Sequence, residues 1–315
     1  MKGISVIICC YNSAERIGAT LKHLKGQMWK EDACWEVILI DNNCTDNTVN
    51  AALTVWENHP VKLKLVKEQK AGLIHAREAG IRAAVYDYLV FCDDDNWLDE
   101  IYIQTVFTLF ENNEQAGAIG GQSTIAVQNG EMIPTWFKAE ENAYAVGKQA
   151  MQSGDVTERL YLWGAGLAVR KHIAEKCFDE DFPFLLTGRS GKAVTAGDDS
   201  EICNRIVLMG YRLLYDERLK YEHFIPSIRL TEDYLIQMKN GFERSYGVLT
   251  LYSECIRAIV LNKRSKAAVL RETINERPFN KGKLLRMVYW IYGLALYVNN
   301  DMRMIRAYYK KHLSY

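Results

Sequence analysis

The apolar positions at the start of this chain fall into short runs. Residues 4–9 (ISVIIC), 36–40 (EVILI), 61–66 (VKLKLV) and 88–92 (YLVFC) are rich in β-branched side chains, wholly apolar or alternating, and read as strands. Between them the spacing becomes helical: residues 14–27, 46–58 and 71–86 place apolar side chains three and four apart, as with Ile17, Leu21 and Leu24. Strands alternating with helices predict βαβ units and a parallel sheet with right-handed crossovers. The alternation continues less regularly, with a helix over 98–112, a strand over 116–126, a loop-like stretch to 154, a strand over 162–169, a helix over 199–209 and a strand over 212–216. Beyond 226–232 helical patterns dominate. The pattern therefore predicts an α/β domain over 1–225 and a helical C-terminal extension over 226–315.

Composition is that of an ordinary globular chain, with 49% hydrophobic and 25% charged residues. The eight cysteines include no C-x-x-C pair, and Cys9, Cys10 and Cys92 lie in apolar runs where a thiol behaves as a small hydrophobe, so a reducing cytosol is expected. The apolar stretch before Tyr11 is too short for a signal peptide. Charge is unevenly spread. The whole chain balances 39 Lys and Arg against 39 Asp and Glu, yet residues 255–315 carry 13 basic and three acidic side chains, leaving the rest acidic.

Within the basic tail, residues 284–298 (LLRMVYWIYGLALYV) are almost wholly apolar but fall short of the roughly twenty residues a spanning helix needs. With the flanking cations Lys281, Lys283, Arg286, Arg303, Arg306, Lys310 and Lys311, the stretch reads either as a peripheral anchor on anionic lipid or as a homodimer interface. Both readings stand. No nucleic-acid module accompanies the charge, so a nucleic-acid partner is not expected.

Several chemistries lack their signatures. The turn after the first strand, Cys9 to Ser13, has no glycine, so it is not a dinucleotide fingerprint, and no Walker A, HExxH or GxSxG sequence is present. What the chain offers instead is Asp93, Asp94 and Asp95, directly after the run ending at Cys92 and so at the C-terminal rim of the sheet, where ligands of open α/β folds bind. If the backbone stays extended there, Asp93 and Asp95 face one way and Asp94 the other. Paired carboxylates suit Mg²⁺ or Mn²⁺ bound together with substrate phosphates; the plainer reading is a solvated turn capping the next helix.

The motifs, taken in order, resemble those of the family 2 glycosyltransferases. Ser5 to Ile8 running into Tyr11 and Asn12 looks like the family's first strand, and Val37 to Asp41 followed by Asn42, Asn43, Cys44, Thr45 and Asp46 like its second strand with a D-x-x-S-x-D turn. Gly72, Ala76 and Arg77 resemble its G-x-x-x-A-R-N stretch, and Asp93 to Asp95 its D-x-D element. The likeness covers about the first 225 residues, with Cys9-Cys10 and Glu78 as departures.

That resemblance implies a GT-A fold, a Rossmann-like, mostly parallel sheet flanked by helices, and inverting transfer of one sugar from a nucleotide-diphosphate sugar, UDP being the first guess, to a hydroxyl of a glycan or lipid-linked acceptor in cell-surface polysaccharide synthesis. It implies that Tyr11 stacks on the base, that Asn12 and Asp41 bind the donor with Asp41 at the base edge, that Arg77 lies near the base, and that Asp93 and Asp94 serve the donor. Asp95, Asp93 and His223 would hold Mn²⁺ or Mg²⁺. Asp199 would be the general base with Asp198 beside it, and Arg229 would meet phosphate oxygens. The segment Trp163 to Gly166 would lie by the donor sugar, although it also reads as a tightly packed strand. The loop Thr187 to Lys192 suits either a lid over diphosphate or an ordinary surface loop. The processive Q-x-x-R-W motif is missing, which predicts single transfer, in the cytoplasm or at the inner face of the cytoplasmic membrane. A nucleotidyltransferase or a non-catalytic sugar-nucleotide binder would share much of this pattern.

Overall fold

The structure, a computed structural model, describes residues 1–30, 34–128, 130–178, 183–186, 188 and 196–261, together with isolated positions between 265 and 278. The tail stretch 281–311, with its apolar run and flanking cations, lies outside the described residues, as does all of the 187–192 loop except Gly188. Among the described residues no helix is long and apolar enough to cross a membrane.

The first half follows the predicted alternation: β1 (Gly3–Cys10), α1 (Ile17–Lys25), β2 (Cys34–Asp41), α2 (Thr48–Trp56), β3 (Leu63–Lys67), α3 (Leu73–Ala83) and β4 (Tyr88–Phe91). Then come β5 (Asn96–Leu98), α4 (Tyr102–Asn112), β6 (Ala116–Ala126), the short α5 (Phe137–Glu140), β7 (Gly154–Asp155), β8 (Ala168–Arg170) and α6 (Lys171–Cys177). The described elements close with α7 (Asp198–Leu208), β9 (Arg212–Phe224), α8 (Glu232–Cys255) and a π-helical turn over Ile256–Leu261. The sheet runs β3-β2-β1-β4-β8-β6-β9-β5, with β7 added to β9. Its first four strands are parallel; β8 is antiparallel to both neighbours, and β5 is antiparallel to β9.

The central strands are mostly apolar because both faces of the sheet are covered, with Ser5 and Glu36 buried as a hydrogen-bonded pair. Successive side chains alternate between two cores. Ile4, Val6, Ile8, Val37, Leu39 and Val90 pack with Ile17, Leu21 and Leu24 of α1 and with α2 and α4. Ile7, Ile38, Ile40, Leu89 and Phe91 pack on the other face with α3, α6 and α7. A Cβ on Gly80 of α3 would come within 2.3 Å of Ile7, so this helix lies close against the sheet because the residue is glycine.

Three expectations need correction. The stretch 162–169 is a strand only from Ala168; before it Gly166 takes a φ of +71° and its carbonyl accepts from the Tyr102 hydroxyl at 2.7 Å, so Trp163 to Gly166 form a looped segment and not a packed strand. The strand expected over 212–216 continues to Phe224, and it follows β6 through a register shift between Gly120 and Gln122. The chain at Asp93 is a turn, closed by the Asn96 amide on the Asp93 carbonyl at 3.1 Å, so strand alternation does not orient these carboxylates.

The extension beyond 226 is fastened to the core. Tyr252 and Ile256 are fully buried in the same cluster as Ile202 and Ile206 of α7. The Tyr252 hydroxyl donates to Glu201 at 3.0 Å, and Glu201 is ion-paired with Arg205 at 2.8 Å, with both side chains out of water. Arg205 also donates to the carbonyls of Cys177 and Pro183 and lies over the Phe184 ring, while Glu201 accepts from the amides of Leu185 and Leu186. Replacing one partner strands the other charge in an apolar interior, so Arg205→Met is expected to lower stability by about 3–5 kcal/mol. Urea denaturation of the variant beside the parent checks this.

Candidate active site

The parallel register brings the ends of the strands to one rim. Cys10 pairs opposite Asp41, and Ile7 opposite Phe91, so the segments after β1, β2 and β4 leave the sheet side by side. Tyr11 is half-exposed at this rim. Asn12, with a φ of 52°, uses its side-chain carbonyl to accept from the Thr45 amide at 2.8 Å, tying the first loop to the second. Asp41 accepts from the Cys44 amide at 2.8 Å. Asn42 is buried; it donates to the carbonyls of Glu68 and Lys70 and accepts from Gly72, fixing the third loop to the second. Beyond its place in the D-x-x-S-x-D-like turn, nothing in the sequence marks this bridging task of Asn42, because one amide side chain in a polar turn has no distinguishing pattern.

The three successive aspartates have separate partners. Asp94 accepts from the Ser13 hydroxyl and pairs with Arg16 at 2.8 Å, and Thr20 donates to its carbonyl at 2.8 Å, so it clamps the start of α1. Asp95 pairs with Arg229 at 3.0 Å and lies 3.5 Å from Nε2 of His223. His223 arrives there because β9 pairs with β5 in a register that sets His223 opposite Asn96, the residue after Asp95. Burial pushes the Asp93 carboxyl up to about 6; Arg77 opposes the shift, and Asp95 adds to it.

The second acidic group enters on α7. Arg77, on α3 and only 3% exposed, ion-pairs with Asp198 at 2.5 Å. Asp199 accepts from the Gly164 amide at 2.9 Å and from the Ser200 amide at 2.7 Å, and burial first, then its neighbour Asp198, raises its pKa. The Arg77 guanidinium pairs with Asp198 and lies over the ring of Phe91, two residues before Asp93, so α7 and the end of β4 approach one buried cation. Gly164 fits between them: a Cβ there would stand 2.6 Å from the Arg77 guanidinium and 3.2 Å from Asp199. Gly188 leaves similar room, since its Cβ would come within 2.8 Å of the Asp198 carboxyl.

The structure thus brings together Asp93, Asp95, His223 and Arg229 on one side and Arg77, Asp198 and Asp199 on the other, with Tyr11, Asn12 and Asp41 on the adjoining loops. Among the described residues no three His, Cys, Asp or Glu side chains are already gathered as a metal-binding set. The two carboxylates, one of them raised in pKa by burial, suit a hard divalent ion, and beside them stands an imidazole whose Nδ1 is buried without a hydrogen-bond partner among the described residues.

The family model described as Glycosyl transferase family 2 matches residues 5–178, more than half of the chain. The chain belongs to glycosyl transferase family 2. The rim loops from β1 to β4 and the turn carrying the three aspartates fall within the matched part of this family 2 chain, whereas α7 and β9 lie beyond it. Over 125 residues, 40% of its length, it is 29% identical to a poly-beta-1,6-N-acetyl-D-glucosamine synthase of Staphylococcus epidermidis and 27% identical to the synthase of that name from Staphylococcus aureus strain COL. The aligned part spans 29% of each of these curated relatives.

Among solved structures, Staphylococcus aureus TarS 1–349 in complex with UDP matches with a TM-score of 0.52 at 15% identity, covering 100% of this chain and 93% of that one. A mannosyltransferase, PcManGT from Pyrobaculum calidifontis, in complex with GDP-Man and Mn²⁺, matches with a TM-score of 0.53 at 17% identity, covering 99% and 76%. These likenesses establish the fold.

The raised pKa of Asp93 has a measurable consequence. A carboxyl at about 6 in the folded chain against an ordinary 3.8 holds its proton more tightly when folded. Its favourable contribution is full below the lower value and is lost as pH rises through the upper one. In chelator at pH 8, Asp93→Asn should therefore be more stable than the parent, by on the order of 1 kcal/mol, and the difference should shrink as pH falls below 6. Thermal unfolding of both proteins across pH 4 to 8, a range spanning roughly these pKa values, reads this directly.

Proposed function

We propose that this chain transfers a single sugar, with inversion, from a nucleotide-diphosphate sugar, UDP being the first candidate, to a hydroxyl of a glycan or lipid-linked acceptor in cell-surface polysaccharide synthesis. The observation that carries the reading is the buried Arg77, paired with Asp198 and lying over Phe91, which puts the helix that bears Asp199 beside the acidic strand end. That TarS 1–349 was solved with UDP, and a second neighbour with GDP-Man and Mn²⁺, supports a nucleotide sugar as donor.

In this reading the exposed ring of Tyr11 offers a stacking face to the base, and Asp41, with Asn12 holding the loop beside it, accepts from the base edge. Asp93, Asp95 and His223 would hold Mn²⁺ or Mg²⁺. When bound, such an ion supplies positive charge to the departing diphosphate. Arg229, already beside Asp95, can turn a second guanidinium edge to phosphate oxygens.

Asp199 takes the proton from the acceptor hydroxyl as that oxygen attacks the anomeric carbon from the face opposite the diphosphate. Two features suit it to this. Burial lifts its pKa, making it a stronger base than an exposed carboxylate, and the amides of Gly164 and Ser200 hold its orientation. A lipid-linked acceptor would place the chain at the inner face of the cytoplasmic membrane.

Asp199→Asn removes the base at nearly unchanged side-chain size, keeping one of the two contacts from the Gly164 and Ser200 amides, and kcat should fall by roughly 10³-fold with nucleotide affinity retained. Thermal shifts of the parent chain across nucleotide sugars, with and without Mn²⁺, should show stabilisation by a UDP-sugar that depends on the ion. Release of pyrophosphate from a nucleoside triphosphate would point to a nucleotidyltransferase instead. Tight donor binding with neither transfer nor hydrolysis would point to a binding protein.

A further inference from the structure

We infer that Arg77 is a positioning residue for the transfer step, acting through Asp198 to set the α7 carboxylates against the turn after β4, and that it does not bind the nucleotide. The inference rests on the proposed transfer reaction and gives one of its residues a different task.

The first ground is burial. A guanidinium that is 3% exposed, enclosed by α3, α7 and the 163–166 segment, has no open face for a base or ribose. Its Nη1 is committed to Asp198 at 2.5 Å, and its plane lies 5.3 Å from the Phe91 ring, the last residue of β4.

The second ground is charge. Arg77 bridges two elements more than a hundred residues apart in sequence: its guanidinium pairs with Asp198 of α7 and lies over the ring of Phe91, two residues before Asp93. Without a cation between them, like charges at this separation from water drive the elements apart or force protonation. With it, the helix that carries the base is held against the end of β4 through one buried side chain. The third ground is fit. Gly164 has no side chain where one would strike both the guanidinium and Asp199, so the segment presenting an amide to the base is shaped around this pair.

The test compares the full-length parent with Arg77→Met, Asp198→Asn and the double variant, measuring kcat, KM for the donor, and UDP affinity by calorimetry. Each single change should lower kcat by roughly 100-fold, the scale of a small misplacement of reacting groups, while UDP affinity stays within about twofold. The double variant should be no slower than the slower single, because the two side chains act as one unit. That variant also replaces both charges with neutral groups of similar size, so it remains informative if a stranded charge unfolds either single variant: low kcat with parental UDP affinity supports the inference.

UDP affinity lost in Arg77→Met but kept in Asp198→Asn would make Arg77 a nucleotide ligand and overturn it. Parental kcat in the double variant, or losses that simply add, would also overturn it. A parent that turns over no donor removes the transfer reading itself, whereas an active parent with an equally active double variant removes only the role given to Arg77.

Discussion

Burying several carboxylates at one rim is unfavourable unless each is answered by a cation or a proton, and the architecture is organised around that requirement. Asp94 is met by Arg16 at the start of α1, Asp95 by Arg229 beyond β9, and Asp198 by Arg77 on α3. Each guanidinium comes from a different part of the chain. The pairs therefore do more than offset charge: they fix where α1 and the segment after β9 sit relative to the turn following β4, and where α3 sits relative to α7. Asp93 and Asp199, whose carboxyls are both raised, have the least direct compensation, and they are the groups on which the proposed chemistry most depends.

The sheet divides the work. Its parallel half lines up the ends of β1, β2 and β4, which sets the loops proposed to face the nucleotide side by side. Its mixed half brings β9 against β5 and so returns His223 and Arg229 to the same turn from the far end of the domain. Neither half forms the site alone. Family membership covers residues 5–178, and the second acidic pair and the histidine come from beyond that limit.

The parallel half was legible because fully buried strands are written as unbroken apolar runs and their helices as a repeating stripe, signals local to a dozen residues. The mixed half was not. β5 has three residues, too short for any period to show, and β9 carries charges at Asp216, Glu217, Arg218 and Lys220 that broke its pattern where the sequence reading ended it. The candidate carboxylates stood out by type and by place at an element end. Their partners did not: Arg77 paired with Asp198, or Ser13 and Arg16 with Asp94, are contacts across 121, 81 and 78 residues, and spacing along a chain carries no trace of them.

The pairing of β9 with β5 has a further consequence for how the protein comes to exist. A chain made from its N-terminus completes the three aspartates more than a hundred residues before His223 and Arg229 emerge, so the acidic turn passes through a stage with its negative charge largely unanswered from that side. Non-local strand closure is slow, and here the same closure delivers the compensating groups. The proposed site is thus complete only once this long-range strand pairing has formed.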